Sequence, residues 1–388
     1  MKKTCMLILI IIIILFSNSC IADEENLSES IIDQQMESLN ILELEELLQD
    51  IINTNEMLPK IDVKDFLGSL IKGKVSLDGK SIGRGVSQLF FNEIINNLSL
   101  ISKILIITLI SSLLTNLQNT FDNESIAQIA NYVTYILIVM LVINSYSQVI
   151  SLGKQTTERM VNFMQIILPI LLTLLTATGG PNAKLLFHPI VIATVNIIGA
   201  LIKDLIFPLI FFSFIIGIIS NLSQRLEFNK LSELSRQVIT FAISASLTIF
   251  IGIITMYGIT SKIDGITIRT AKFAVDKFIP IIGSFLSDAV ETVVGCSAIL
   301  KNGIGAIGLL TLFLICIAPI IKIVVLLFVY KLIAAVIQPV ASSNIVECFS
   351  QVSKSLLLIL VSVLSTATMF FITITIIVEA GNAALMLR

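Results

Sequence analysis

His188 is the only histidine in this 388-residue chain, so any site that needs two imidazoles is excluded. Cys5 and Cys20 sit at the N-terminus, leaving Cys296, Cys316 and Cys348 further along. Three is an odd number, none stands at CxxC spacing and each lies in an apolar context, which fits buried thiols better than disulfide or metal chemistry. Phosphate-binding and hydrolase signatures are missing. Gly179-Gly180-Pro181-Asn182-Ala183-Lys184 has neither the spacing nor the hydroxyl of a phosphate loop, and neither a G-x-S-x-G elbow nor an H-E-x-x-H helix occurs. Ser69-x-x-Lys72 and Ser151-x-x-Lys154 match the serine–lysine spacing, but a pattern that short arises by chance. No span carries the paired aspartates of an intramembrane protease. No catalytic residue is nominated, and no metal, cofactor or nucleic-acid partner is expected.

What chemistry the chain does offer lies in a few charges set among apolar residues. A charge in lipid is costly and marks either a function or a snorkelling end. Lys103 and Lys203 stand close enough to run ends to reach the interface. Lys322 differs, because it follows Pro319 inside the long apolar run 304–338. Proline removes a backbone donor and disfavours helix in the residue before it. A tight break over Pro319 to Lys322 is therefore expected, with a span on either side. Lys331, next to Tyr330, then becomes the true intramembrane charge, either lining a pathway or pairing structurally. In 261–303, Arg269, Lys272 and Asp276 share one helical face. After Pro280, Ser284, Ser287, Asp288 and Glu291 form a polar stripe opposite Ile282, Phe285, Leu286, Ala289 and Val293. Two readings stand for this segment: a pair of interfacial helices with solvated faces, or a re-entrant element bordering an aqueous passage. His188-Pro189 reads as a helix-entry feature or as a proton relay.

The elements that must position these groups are membrane helices. Hydrophobic residues make up 55% of the chain and charged residues 13%, with a mean hydropathy of +0.97. A span needs about 20 apolar residues. The runs 100–117, 127–150, 161–178, 185–202, 205–222, 238–260 and 355–378 approach or meet that length, and 304–338 exceeds it. The expected fold is an all-α polytopic membrane protein of eight or nine spans, its membrane part covering 98–388. Pro169, Pro189, Pro208 and Pro319 fall in or at spans, and broken helices of that kind expose backbone groups to substrate in transporters. A stand-alone secondary transporter is therefore the alternative to a subunit of a larger assembly, although no internal repeat supports it. Residues 222–238 read as an amphipathic helix on the membrane surface, with ion pairs expected for Glu227 with Lys230 and for Glu233 with Arg236. Counting spans from outside places 261–303 outside, although its five basic residues oppose that side. Either 278–300 itself crosses or assembly holds the loop there.

Lys2 and Lys3, the apolar stretch Met6 to Phe16 and the small-residue exit through Ala22 describe a secretory signal peptide over 1–22. Cleavage after Ala22 and cleavage before Cys20 compete. The following segment, 23–97, holds fifteen acids against six bases, ten of the acids lying between Asp23 and Asp50. Its apolar stripes, the last of them Val86, Leu89, Phe90, Ile94 and Leu98, are expected to form short extracytoplasmic helices. These lie on the membrane or on each other, or present a docking face to a partner.

The run from Asp264 to Phe273 (DGITIRTAKF), followed by Phe278-Ile279-Pro280-Ile281-Ile282-Gly283, closely resembles the stage III sporulation protein AE family. Phe187-His188-Pro189, Tyr330-Lys331-Leu332, Gln338-Pro339 and the end from Ala380-Gly381-Asn382 to Arg388 resemble it too. Each motif alone is weak, but their order over nearly the whole chain is specific. The acidic stretch 23–60 departs most from the family pattern. The resemblance implies a membrane subunit of the channel-like complex joining mother cell and forespore, inserted in the outer forespore membrane. It also implies partners among the other subunits of that complex and in the forespore membrane. The family implies no catalytic residues.

Overall fold

The computed structural model describes residues 46, 79–120, 124–178, 181–222, 228–278 and 282–386. The expected signal peptide and nearly all of the acidic stretch before residue 79 lie outside these residues. Every element among the described residues is helical, and there are no strands. The order is α1 (Gly79–Thr120), α2 (Glu124–Ala177), α3 (Pro181–Ala200), a π-helical turn (Leu201–Ile206), α4 (Phe207–Leu222), α5 (Asn229–Phe278), α6 (Ile282–Ile337) and α7 (Ser343–Met386). Because α3, the π turn and α4 run on end to end, the described residues form six rods.

Contacts between rods fix an up-and-down order. Gln165 on α2 donates to Asn196 on α3 at 2.6 Å, Glu158 pairs with Lys203 at 3.0 Å, and the Tyr135 hydroxyl donates to the Ile218 carbonyl at 2.7 Å. Rising positions on α2 thus meet falling positions on the α3–α4 rod. Likewise, Gly308 of α6 lies beneath Ile167 of α2 and Ile374 of α7, and Tyr330 stacks on Phe349 at 6.1 Å, so α6 is antiparallel to both. The last rod, α7, packs against α2, α4, α5 and α6, whereas α1 touches only α2 and α6 to any extent. One buried core therefore runs along α2 and α7, including Tyr146, Phe163, Phe207, Phe214, Phe349 and Phe370.

Among the described residues, six stretches are long and apolar enough to cross a membrane: Gly83–Ile110, Tyr132–Ala177, Pro189–Asn221, Asn229–Met256, Thr292–Ile337 and Ser343–Ala380. The eight or nine expected from the runs reduce to these because runs stack end to end within single rods. Runs 127–150 and 161–178 both belong to α2, where Ser151 to Met160 simply continues the helix. That stretch is polar but contains no turn-forming pair. Its threonines bond back along the helix, Thr156 to the Leu152 carbonyl at 2.7 Å and Thr157 to the Gly153 carbonyl at 3.0 Å. Gly153 is required there: a Cβ at that position would meet the Phe207 ring at 2.8 Å. Runs 185–202 and 205–222 join through the π turn, which immediately precedes Pro208. A proline ring crowds the carbonyl four residues earlier, here that of Asp204, and wider i→i+5 bonding relieves the crowding.

The expected break at Pro319 to Lys322 does not occur. α6 passes through both residues as one helix of 56 residues. Proline costs a helix one hydrogen bond and a local clash, but packing on both sides restrains the backbone when neighbouring helices cover it. Here Cys316 Sγ lies 3.2 Å from Met160 Sδ, and Ile315 and Ile321 are buried. Of the surface helix expected over 222–238, residues 229–238 form the first turns of α5, while 223–227 lie outside the described residues. Across 261–303, α5 extends to Phe278 and α6 starts at Ile282, so a helix lies on either side of Pro280 as expected.

Candidate functional site

Three rods bring polar residues to one place. Glu93, Asn96, Asn97 and Lys103 come from α1, Asn144, Ser145 and Gln148 from α2, and Lys322 from α6. Together with Ser99, Leu100, Leu141, Val149 and Leu326 they line a cavity of about 390 Å³. The helical period explains the arrangement. Residues 93, 96, 97, 100 and 103 recur at three- and four-residue spacing, as do 141, 144, 145 and 148, so each set forms one stripe on its helix. The stripes face each other because α1 and α2 form an antiparallel hairpin, and α6 closes the third side.

Within the cavity, the Asn97 amide donates to the Glu93 carboxylate at 3.1 Å and Lys322 Nζ lies 3.8 Å from it. The Glu93 side chain retains only 19% of its exposure, against 46% for Lys322. Lys322 is thus the expected candidate that the fold does place in a polar setting, opposite a residue more than two hundred positions away. Lys331 is not placed there. It stands nine residues further along α6, half a turn round at 100° per residue. It is exposed and only six residues from the helix end at Ile337. The break that led to the reading of Lys331 as the intramembrane charge is absent from α6. Of the other candidates, His188 lies in the early turns of α3, Arg269 and Lys272 lie on α5, and Asp288 and Glu291 lie on α6. Their side chains are outside the described residues.

A second polar centre joins α5 to α7. The Arg236 guanidinium donates to Gln351, whose amide donates to Glu347 at 2.9 Å, and Lys354 approaches Glu347 at 3.5 Å. Nearby, the Ser232 hydroxyl donates to the Ser213 carbonyl at 3.0 Å. The first turns of α5 therefore turn Ser232 and Arg236 inward while Leu231, Leu234 and Val238 remain exposed. This orientation overturns the Glu233–Arg236 pair expected from spacing: Lys230 takes Glu233 instead, at 3.4 Å.

One charge escaped notice among the five bases of 261–303. Lys301 is fully buried in α6, and its ammonium has no hydrogen-bond partner. The clue in the sequence was its place at the head of the uncharged stretch that follows it. The three cysteines at 296, 316 and 348 are free and buried. Among the described residues no cluster of three or more His, Cys, Asp or Glu could hold a metal ion.

A family model described as stage III sporulation protein AE matches residues 61–381, which include nearly the whole helical bundle. The protein of that name from Bacillus subtilis (strain 168) is 31% identical over 367 residues, covering 94% of this chain and 92% of its own length. No solved structure matches.

Proposed function

Because this chain belongs to the stage III sporulation protein AE family, we propose that it is a non-enzymatic, multi-pass subunit of the channel-like complex connecting mother cell and forespore. In this reading it sits in the outer forespore membrane and binds the other subunits of its complex and a partner in the forespore membrane. The observation that carries the reading is the match over 61–381, which takes in six apolar rods rather than one isolated motif. The rods' dimensions support assembly. At ~1.5 Å per residue, the 46-residue stretch Tyr132–Ala177 of α2 extends roughly 70 Å, more than twice a hydrocarbon core of about 30 Å. Apolar surface outside the lipid needs protein to cover it.

A transporter acting alone would need irregular backbone near its substrate. With α6 continuous through Pro319, only the π turn Leu201–Ile206 interrupts regular α-helix within the described candidate spans. Deleting the chain in its sporulating organism and purifying a tagged copy from sporulating cells test the proposal together. Arrested spore development, with other membrane proteins recovered in fixed proportion to the tagged chain, is the expected result. Normal spores would overturn it, as would a chain that purifies alone and moves solute unaided in liposomes.

A further inference from the structure

We propose that the cavity between α1, α2 and α6 binds a phosphate-bearing anion, with Lys103 and Lys322 supplying the charge. Nine of its thirteen lining residues are polar or charged, in a chain where hydrophobic residues are the majority. A packing void between apolar rods stays dry and has apolar walls. This site is neither: Asn96, Ser99, Lys103, Asn144, Gln148 and Lys322 are exposed on three separate helices, so a ligand from outside can reach them. Two lysines face one carboxylate, so the lining carries a net positive charge of about one. Glu93 is already engaged by Asn97 and Lys322, whereas Lys103 has no carboxylate in ion-pair reach among the described residues. Asn96, Asn144 and Gln148 add three side-chain amides, whose donors suit an anion with several acceptor oxygens.

Lysine holds phosphate as a point charge rather than through a fixed fork, which suits a cavity whose two cations come from different helices. The volume of about 390 Å³ falls within the ~300–1,000 Å³ of small-molecule sites. Beside the polar stripe, Ile95 and Leu98 of α1 are 61% and 52% exposed, so the surface around the cavity is apolar. A phospholipid headgroup and a free phosphate share the required chemistry, and the experiment separates them.

The full chain, purified in neutral detergent, is melted with phosphatidylglycerol, with phosphatidylcholine and with inorganic phosphate, and binding constants are taken from the concentration dependence. Stabilisation by phosphatidylglycerol but not phosphatidylcholine identifies a headgroup, and stabilisation by inorganic phosphate identifies the free anion. In either case Lys103→Gln weakens binding about tenfold, the loss expected for one charge-assisted contact. Glu93→Gln tightens it by releasing Lys322. Should Lys322→Gln unfold the chain by stranding Glu93, the double variant Glu93→Gln/Lys322→Gln keeps that test open. Lys354→Gln, an exposed lysine outside the cavity, leaves binding unchanged. The proposal is overturned if neither anion stabilises the chain, or if Lys354→Gln weakens binding as much as Lys103→Gln.

Discussion

Lys301 presents the sharpest energetic question at the level of single residues. An ammonium that is fully buried without a hydrogen-bond partner has lost its water, and the Glu379 carboxylate attracts it only through space. Leaving one polar group in that state costs ~1–3 kcal/mol. Methionine has nearly the same length and no polar hydrogen, so Lys301→Met should raise thermal stability in detergent by about that amount. A stabilised variant that also blocks spore development would identify Lys301 as a residue kept for function; a lower melting temperature would show that the amine is satisfied. Arg236 gives the opposite expectation. It belongs to a connected set with Gln351 and Glu347, and Arg236→Met strands the Gln351 carbonyl, for an expected loss of ~1–3 kcal/mol. Paired with Gln351→Leu, a double-mutant cycle in thermal unfolding should show the losses to be less than additive. Sequence spacing could not find this set: a three-residue separation suggested Glu233 for Arg236, but the partner arrives from α7, 115 positions away. Lys322 stood out in the sequence because a charge inside an apolar run is conspicuous. Glu93, its partner, did not, because it sits at the boundary of a polar segment where carboxylates are ordinary.

Helices were legible as apolar runs, whereas their continuity was not. Turn signals mark where a chain reverses, and the sequence shows them at Gly179-Gly180-Pro181 and around Pro280, where the rods do end. Ser151 to Met160 carries no such signal, yet polarity alone made it look like a loop between spans. In water that inference works; inside a bundle, helical hydrogen bonds satisfy the backbone whether the side chains are polar or not. Pro319 misled in the other direction, since its cost falls on one local bond and packing on α2 offsets it. Close contact between rods depends instead on glycines. A Cβ on Gly305 would overlap Val378, a stiff β-branched side chain. On Gly308 it would meet first the Ile167 Cδ1, the free end of a longer side chain. Gly305→Ala should therefore destabilise the chain by ~1–3 kcal/mol, as overpacking does, and Val378→Ala in the same chain should restore most of the loss. Gly308→Ala should cost less, and Gly252→Ala, with open space around it, should be neutral or slightly stabilising. Melting curves of the four variants rank them directly, and equal losses at 305 and 252 would refute the close-packing account.

The whole molecule is too long for one bilayer, so the distribution of charge must say which part the lipid covers. Five rods have uncharged stretches side by side: 160–178 on α2, 185–202 on the α3 rod, 237–261 on α5, 302–321 on α6 and 355–378 on α7. Gln165 bonded to Asn196, Met160 against Cys316, and Gly308 beneath Ile167 and Ile374 hold four of them at one level, and α5 runs beside α3 and α7. On α2 this zone extends about 28 Å at ~1.5 Å per residue, one hydrocarbon core. Charges gather at its edge: Lys154, Glu158 and Arg159 on α2, Lys203 and Asp204 in the π turn, and Lys354 on α7. α1 does not enter the zone; it lines the other half of the rods, where Met140, Phe212 and Phe328 are exposed. This charge distribution predicts a bilayer at the five-rod end, with the other half open to the partners of the proposed complex. With Cys296, Cys316 and Cys348 replaced by serine or alanine, single cysteines can be labelled in intact membranes with a charged maleimide that does not enter lipid. Cysteine at Ile197, Phe313 or Phe371, all exposed at the level of the uncharged zone, should resist labelling. Cysteine at Lys203 or Lys354 should react. At Met140 and Phe212, reaction should be weak in sporulating cells, where partners cover the surface, and strong when the chain is expressed alone. Rapid labelling at 197, 313 and 371, with 140 and 212 protected in a chain expressed alone, would place the bilayer on the opposite half and reverse the assignment.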